Sequence, residues 1–452
     1  MEERPFYLGD GGKMKRYITD EKRSMEKEEL DFPKIDKWVP NQLRIDSSIE
    51  YQKVIGMGGA LTEASAYVWS KMSRENQEKM IDLYFGPESA SYNFCRLHIQ
   101  SCDFALGNYA YIEDPEDKEL KTFSIERDRK YIIPFVKAAL AKNPDIEFLA
   151  SPWSPPAFMK TNNDMNHGGQ LKKEYYGMWA SMVAKYVKTY RSEGINITRL
   201  TVQNEPAAVQ TWDSCIYSAE EERDYACNYL KAALKKAGCG DVKINVWDHN
   251  KELLVERAKG SLSTKDALKK IDGIAFHWYT GDYFESLQEV SRLFPGKELI
   301  FTEGCVEYSI DKNGSQISRA ERYAHDMIGD FNGGMNGFLD WNVILDSKGG
   351  PNHVGNFCDA PLMCDYDRDI VDIHKSYYYI RHFSQFIKKG AVRIWAGRAN
   401  DKIDVTAFKN PDGSKVCIVL NKGDSDVSFN LIEGERCQEL KADPHSIQTL
   451  IW

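Results

Sequence analysis

The sequence predicts an α/β fold, a (β/α)8 TIM barrel that carries an appended antiparallel β-sandwich. Two observations support this prediction. Over most of the 452-residue chain, short apolar runs alternate with amphipathic helical stretches. Towards the C-terminus, strand-like runs follow one another without intervening helices. The length suits one large domain with a smaller second one.

Eight apolar runs form the predicted barrel, and each ends in a polar or aromatic cluster. Strands that alternate with helices indicate parallel βαβ units, and eight such units favour a closed barrel over an open doubly wound sheet. The glycines after the first run do not form a G-x-G-x-x-G motif, which disfavours dinucleotide binding. The runs span residues 53–58, 92–99, 146–150, 198–203, 242–247, 271–276, 298–302 and 335–341.

Helical signals lie between these runs. Apolar residues in 179–190 recur with the spacing of one helix face. Residues 218–221 form a capping box, and the apolar positions of 80–84 share a face that Gly86 ends.

The domain boundaries follow from changes in this pattern. The barrel is predicted over residues 51–388 and the sandwich over residues 389–452. Residues 1–50 are highly charged and are expected to form a solvated arm or edge strands. This arm is expected to complete the sandwich, because Tyr7 and Leu43 need an apolar partner.

Strand-like segments separated by turns predict the sandwich itself. They are residues 391–395, 403–408, 416–420 and 427–431.

Composition and charge exclude several classes of function. The net charge of −9 and pI of about 5.6 argue against a nucleic-acid partner. No apolar run reaches the ~18 residues that span a bilayer. The N-terminus lacks the basic-then-apolar order of a signal peptide, so a cytoplasmic protein is expected. The ten scattered cysteines suggest neither a disulfide framework nor a zinc site. No metal ligand spacing is seen and no cofactor is expected; the oligomeric state is left open.

Two glutamates follow predicted barrel strands. Glu205 follows the fourth run and precedes Pro206, and Glu303 directly follows residues 298–302 of the seventh run. Proline disfavours an α conformation in the residue before it, so Glu205 is expected at a strand exit. Strands of one barrel bring their C-terminal residues to one face, so the two carboxyl groups should face each other. Such a pair is typical of glycoside hydrolysis, with one group protonated and the other ionised.

Polar residues at other strand ends could orient and charge-pair with these two carboxyl groups. Arg96, near the end of the second run, is expected to hold Glu303 ionised by charge pairing. His277 and Tyr279 follow the sixth run and are expected to hydrogen-bond Glu303.

Further strand-end residues fit a sugar pocket. Asp103 is expected to accept hydrogen bonds from two sugar hydroxyls. Trp153, Trp278 and Trp341 follow the third, sixth and eighth runs and are expected to offer apolar faces to a pyranose ring.

Several motifs resemble glycoside hydrolase family 30, a retaining clan-A family, over nearly the whole chain. They are Ser-Pro-Trp-Ser-Pro-Pro (151–156), Ser-Cys-Asp-Phe (101–104), Val-Gln-Asn-Glu-Pro (202–206), Phe-His-Trp-Tyr (276–279), Thr-Glu-Gly-Cys (302–305), Asp-Trp-Asn (340–342) and Gly-Gly-Pro-Asn-His-Val-Gly-Asn-Phe (349–357). The motifs are most similar to the glucosylceramidase-like branch. The resemblance implies a barrel fused to a β-sandwich built from both chain ends.

The resemblance also implies roles for site residues. Glu205 would be the acid/base and Glu303 the nucleophile. Arg96, His277 and Tyr279 would support the nucleophile. The −1 glucose site would be lined by Asp103, Trp153, Asn204, Trp341 and Asn356.

One departure concerns the leaving-group side of the pocket. His353 stands where glucosylceramidases of animal lysosomes have Trp. The expected substrate is a small-molecule or oligosaccharide β-glucoside, cleaved with retention. A β-1,6-glucanase or a β-xylosidase of the same family is the alternative. A carbohydrate-binding protein without turnover is disfavoured because it needs no facing acids, and so is a polysaccharide-anchoring module led by the sandwich.

Overall fold

The computed structural model describes residues 7–452, which form two domains. The N-terminal strands are β1 (Tyr7–Thr19), β2 (Glu26–Ile35) and β3 (Gln42–Lys53). The barrel strands are β4 (Gly56–Ala60), β5 (Phe94–Ile99), β6 (Glu147–Pro152), β7 (Ile197–Thr201), β8 (Lys243–Asn250), β9 (Gly273–His277), β10 (Glu298–Glu303) and β11 (Gly337–Asn342). They are followed by β12 (Ile344–Asp346), β13 (Leu362–Asp365), β14 (Ile370–Ile373), β15 (Val392–Arg398), β16 (Asp404–Lys409), β17 (Lys415–Asn421), β18 (Val427–Glu433), β19 (Arg436–Ala442) and β20 (Ser446–Ile451).

The α-helices lie mainly between the barrel strands. They are α1 (Glu63–Lys71), α2 (Arg74–Phe85), α3 (Glu126–Lys130), α4 (Ile132–Lys142), α5 (Tyr176–Ser192), α6 (Ala219–Asp224), α7 (Lys231–Lys236), α8 (Leu254–Ser261), α9 (Ala267–Lys270), α10 (Phe284–Leu293), α11 (Gln316–Gly333) and α12 (Lys375–Ser384). The capping box at Ser218 is present at the start of α6, as predicted. A π-helical turn over Tyr225–Leu230 joins α6 to α7.

The predicted TIM barrel is confirmed. Strands β4 to β11 pair in parallel and in chain order, and β11 closes the sheet by pairing with β4. A small apolar layer of Phe94, Leu149, Ile300 and Leu339 fills its centre. The helices pack around the outside on a continuous core. This arrangement brings the carboxyl ends of the strands to one mouth.

The second domain is a mostly antiparallel sheet built from both chain ends. Its nine strands follow the order β1-β2-β19-β18-β3-β15-β16-β17-β20 and close on themselves. The predicted contribution of the N-terminal arm is confirmed, since β1, β2 and β3 all belong to this sheet. One pair, β3 with β18, is parallel. Strands β19 and β20 were not predicted. Leu43 lies in the apolar core of this domain, as expected, whereas the side chain of Tyr7 lies outside the described residues.

A third, three-stranded sheet of β12, β13 and β14 lies beyond the last barrel strand. The segment between β12 and β13 crosses the barrel mouth and carries Asn356 and Cys358 to the cavity there. Among the helices of residues 7–452, none is both long enough and apolar enough to cross a bilayer.

Candidate active site

A cavity of about 270 Å³ opens at the carboxyl ends of the barrel strands. Glu205 and Glu303 both line it, although their side chains are largely buried. The predicted residues Asp103, Trp153, Asn204, Tyr279, Trp341 and Asn356 also line it. Arg96 and His277 lie behind this lining and are fully buried. The structure thus brings all ten predicted site residues to one end of the barrel.

Glu303, the last residue of β10, accepts two hydrogen bonds in this cavity. The Arg96 guanidinium donates from Nη1 to Oε2 over 2.7 Å, and the Tyr279 hydroxyl donates to Oε1 over 3.0 Å. Both contacts match the predicted ones. Burial raises the pKa of Glu303, the charges of His277 and Arg96 oppose that rise, and the pKa remains above its usual value.

Arg96 also serves a second carboxylate that the sequence analysis missed. Its Nη2 donates to Asp248 Oδ2 over 2.8 Å and to Asn204 Oδ1 over 3.0 Å. Asp248 accepts further hydrogen bonds from the hydroxyls of Thr201 and Thr302. Burial alone would raise the pKa of Asp248, but the charge of Arg96 and the hydrogen bonds lower it. Arg96 is therefore shared between Glu303 and a fully buried, ionised aspartate.

Glu205 lies in the segment after β7 with an unusual backbone conformation. Its φ angle is 48°, in the left-handed region. Its N–H donates to the carbonyl of Asp248 over 3.0 Å. As expected for a residue before proline, Glu205 does not have the right-handed α conformation, but it is not extended either. On the side chain, Gln210 Nε2 donates to Oε2 over 3.0 Å.

His277, the last residue of β9, contacts Glu205 and not Glu303. Its Nδ1 lies 3.2 Å from Glu205 Oε1, and its Nε2 lies 3.1 Å from Asp248 Oδ1. The prediction that His277 hydrogen-bonds Glu303 is therefore wrong, because its partners are Glu205 and Asp248. The reason is a bulge in the pairing of β8 with β9, which turns Asp248 towards the ring. Glu303 still acts on the ring through its charge.

The protonation of these groups follows from their contacts. Burial alone would lower the pKa of His277, but the charge of Glu303 and the hydrogen bonds to Asp248 and Glu205 raise it to about 9. Burial alone would raise the pKa of Glu205, but the charge of His249 and the hydrogen bond and charge of His277 lower it to about 2. At neutral pH the proton of this pair therefore lies on His277. This differs from the two-carboxylate expectation, in which Glu205 itself holds a proton.

Aromatic and polar side chains form part of the cavity wall. The rings of Trp153 and Trp341 stack with centroids 5.3 Å apart, and the Arg96 guanidinium lies 4.7 Å from the centroid of Trp153. Asp103 accepts a hydrogen bond of 3.2 Å from the amide of Asn352. Burial raises the pKa of Asp103, and the neighbouring carboxylates raise it further.

Besides Arg96 and His277, two other residues from the sequence analysis, Trp278 and His353, lie outside the cavity lining. The ring of Trp278 packs behind this lining on Tyr323, with ring centroids 4.7 Å apart. It is therefore not a face for a sugar ring. His353 lies over the segment after β5, where its Nδ1 is 3.2 Å from the carbonyl oxygen of Ala105.

Several cavity residues were missed by the sequence analysis. Gln210 and Trp212 lie in the loop after β7, His249 and Asn250 end β8, and Glu307 follows β10. Cys305 and Cys358 also line the cavity. Six of the eight predicted strand ends supplied a candidate site residue, and the first and fifth did not. The missing candidate at the fifth strand, β8, is the signal that would have pointed to His249. The predicted run stopped at residue 247, whereas β8 continues to Asn250.

Comparisons with known proteins agree with this architecture. Residues 54–387 match the glycosyl hydrolase family 30 TIM-barrel domain, and residues 390–450 match the glycosyl hydrolase family 30 beta sandwich domain. The chain is 33% identical to the lysosomal acid glucosylceramidase of Mus musculus, over 91% of this chain and 83% of that protein.

Solved structures extend the comparison to the whole chain. SrfJ from Salmonella typhimurium is 39% identical with a TM-score of 0.95, and the match covers 98% of this chain and 99% of SrfJ. The endo-β1,6-glucanase BT3312 is 26% identical with a TM-score of 0.89, over 98% of this chain and 99% of that one. Both domains and the order of the barrel strands thus agree with one family. This chain belongs to glycosyl hydrolase family 30, and it is a glycoside hydrolase.

Proposed function

We propose that the protein hydrolyses β-glucosides with retention of configuration, with Glu303 as the nucleophile and Glu205 as the acid/base. The observation that carries this proposal is the placement of both carboxyl groups in one cavity, with Arg96 2.7 Å from Glu303. Two carboxyl groups at one anomeric centre are the equipment of double displacement.

In the first step Glu303 attacks the anomeric carbon and the aglycone leaves. The hydrogen bonds from Arg96 and Tyr279 orient the attacking carboxylate. Glu205 delivers a proton to the glycosidic oxygen. The imidazole of His277, 3.2 Å from Glu205 Oε1, is the adjacent group from which Glu205 receives that proton.

In the second step Glu205 acts as a base on water, which cleaves the glycosyl-enzyme ester. The proton taken from water returns towards His277, so the same contact operates in both directions. Asp248 holds the far nitrogen of His277 and fixes the ring in this position.

The glucose unit would occupy the side of the cavity that holds the stacked tryptophans. Trp153 and Trp341 offer an apolar wall, and Asp103 and Asn356 offer hydrogen-bond partners to hydroxyl groups. Asn204 is held against Arg96 and lies beside Glu205, where it would reach the 2-hydroxyl.

The leaving-group side favours a polar aglycone. Gln210 donates to Glu205 Oε2 over 3.0 Å, and burial and the charge of Glu205 raise the pKa of Glu307. Trp212 and Asn250 also line the cavity. One indole platform among amide and carboxyl groups suits a sugar or another short hydroxylated aglycone better than a lipid chain. We therefore favour short β-glucosides as substrates. A cytoplasmic location, which would suit such substrates, stays a prediction that cell fractionation checks.

A β-1,6-glucanase is the second candidate, and a β-xylosidase is a further alternative. The likeness to the endo-β1,6-glucanase BT3312 covers nearly the whole chain and favours the glucanase. A comparison of gentiobiose, an aryl β-xyloside and glucosylceramide with an aryl β-glucoside separates these activities.

Azide rescue tests the two roles directly. The Glu303→Ala variant, given a dinitrophenyl β-glucoside and azide, should form α-glucosyl azide, because azide replaces the missing nucleophile. The Glu205→Ala variant should form β-glucosyl azide, because azide then attacks the glycosyl-enzyme. The opposite products, or wild-type turnover of the Glu303→Ala variant without azide, would contradict the assignment.

A further inference from the structure

Three side chains with metal-binding atoms meet on the leaving-group side of the cavity. Glu205 follows β7, His249 lies in β8, and His277 ends β9. One atom of each, a carboxylate oxygen and two imidazole nitrogens, lies within 4.8 Å of the other two. The ligands come from three strands, so no spacing in the sequence reveals them.

The separations fit a small divalent ion. Glu205 Oε1 lies 3.2 Å from His277 Nδ1 and 3.5 Å from His249 Nδ1. Zinc bonds of about 2.0–2.1 Å in a tetrahedron place neighbouring ligand atoms about 3.3–3.4 Å apart. Two of the three edges are therefore close to those of a tetrahedral site, and the third is at most 4.8 Å. Glu205 and His249 both line the cavity, from which a further ligand would approach.

Neighbouring groups would support the ligands. Asp248 lies 3.1 Å from the far nitrogen of His277, the carboxylate–histidine arrangement that orients zinc ligands. Gln210 donates to Oε2 of Glu205, so Oε1 is the oxygen that faces the two imidazole rings. His249 Nδ1 is buried and has no hydrogen-bond partner among the described residues. A buried, unpartnered nitrogen aimed at Glu205 indicates capacity for a ligand.

We propose that Glu205, His249 and His277 form a binding site for a divalent transition metal such as Zn²⁺, and that the bound metal inhibits the enzyme. The metal would displace the proton on Nδ1 of His277, which is released to solvent, and would occupy the carboxylate oxygen that contacts this nitrogen, so Glu205 could neither receive nor deliver a proton. The site would be inhibitory and not part of the catalytic cycle. The glucose side of the cavity, with Trp153 and Trp341, would stay open.

Metal binding is measured first without reference to activity. Purified wild-type enzyme is titrated with Zn²⁺ against a chromophoric chelator, and with Co²⁺ by visible absorption. We expect one equivalent of Zn²⁺ and the intense bands of tetrahedral Co²⁺. His249→Asn should weaken Zn²⁺ affinity about 100-fold, since loss of a ligand costs at least as much as loss of its supporting group.

The matched control is His445→Asn. His445 lies in the second domain between Glu321 and Asp424, at 2.9 Å from each, and is the rival surface site. This variant should bind Zn²⁺ like the wild type. Circular dichroism and a melting curve verify that both variants are folded. Wild-type Zn²⁺ affinity in His249→Asn, or loss of binding in His445→Asn, would overturn the site.

The inhibitory effect is measured separately. Zn²⁺ should lower the turnover of an aryl β-glucoside at least tenfold, and EDTA should restore it. In His249→Asn, whatever its own turnover, about 100-fold more Zn²⁺ should be needed for half inhibition. Stoichiometric binding with unchanged turnover would refute inhibition. Because the binding measurement does not use activity, a wrong assignment of Glu205 as acid/base would not affect it.

Discussion

The backbone N–H of Glu205 donates to the carbonyl of Asp248 over 3.0 Å, and both residues have left-handed conformations. Their φ angles are 48° and 53°, and Trp247 beside them has a φ of 76°. Each such residue costs about 1–3 kcal/mol and persists only where its surroundings fix it. Here the bulge in β8 and this hydrogen bond fix both residues. The strained pair directs Asp248 to Arg96 and holds Glu205 at the cavity.

Asp248→Asn should reduce both stability and activity. The amide cannot balance the charge of Arg96, which is fully buried. Loss of one partner of a buried ion pair lowers the free energy of unfolding by about 3–5 kcal/mol. Because Arg96 keeps its ion pair with Glu303, we expect a loss near the lower value, about 3 kcal/mol. Urea unfolding checks this. The exposed change Asp266→Asn should cost less than about 0.5 kcal/mol; equal stability of Asp248→Asn and wild type would contradict the role of this charge.

Glu205→Ala should affect substrates according to their leaving groups. Poor leaving groups need protonation, so their kcat/KM should fall about 10²–10⁴-fold, whereas a dinitrophenolate needs little help. A series of aryl β-glucosides measures the slope of log(kcat/KM) against leaving-group pKa. The slope should be steeper in the variant. Parallel losses across the series would count against an acid role for Glu205.

Glu307→Gln should alter the use of the aglycone. Glu307 lines the cavity, where we assign it to the leaving-group side, and burial and the charge of Glu205 raise its pKa. A lost carboxylate hydrogen bond to a sugar hydroxyl costs about 1.5–3 kcal/mol, roughly 10- to 100-fold in kcat/KM for a glucosyl disaccharide. The aryl β-glucoside should change by less than about threefold, since its ring makes no such bond. Equal effects on both substrates would place the aglycone elsewhere.

Asp340→Asn should change how stability depends on pH. Burial raises the pKa of Asp340 to about 8, despite hydrogen bonds from the Tyr323 hydroxyl and the Trp341 N–H. The folded protein therefore keeps a proton that the unfolded chain loses above about pH 4. The free energy of unfolding falls by up to about 1.4 kcal/mol per pH unit between these values, and levels off above about pH 8.

The Asn variant lacks this dependence. Its stability relative to wild type should rise by about 3–4 kcal/mol between pH 5 and pH 8. Urea unfolding across this pH range checks the difference. A constant difference between the two proteins would show that Asp340 does not titrate in this range.

The barrel was predictable because each strand is a short apolar run before a polar cluster. Strand β10 ends at Glu303, one residue past its predicted run, and β5 ends at Ile99, as predicted. Glu205 and Glu303 were found because the strand-end rule needs only approximate boundaries. The resemblance to family 30 added Asn204 and Asn356, which no periodicity indicates.

What the sequence analysis missed has physical reasons. Asp248 and His249 follow a bulge, and the alternation of apolar and polar residues fails at a bulge. The hydrogen-bond partner of His277 could not be predicted, because it depends on which way the His277 ring points beside the bulge in β8. Strand β2 exposes much of its length and pairs its charges across the sheet, as in Arg16–Glu28, so hydrophobic alternation is weak there.

The pairing of β1 with β20 has a consequence for biosynthesis. Lys15 in β1 lies opposite Ile451 in β20, so β1 is fully paired only once β20 is in place. Since β20 follows every barrel strand in the chain, the sheet of the second domain can close only after the whole barrel has been synthesised. During translation the barrel is therefore complete in sequence while its neighbouring domain still lacks a strand.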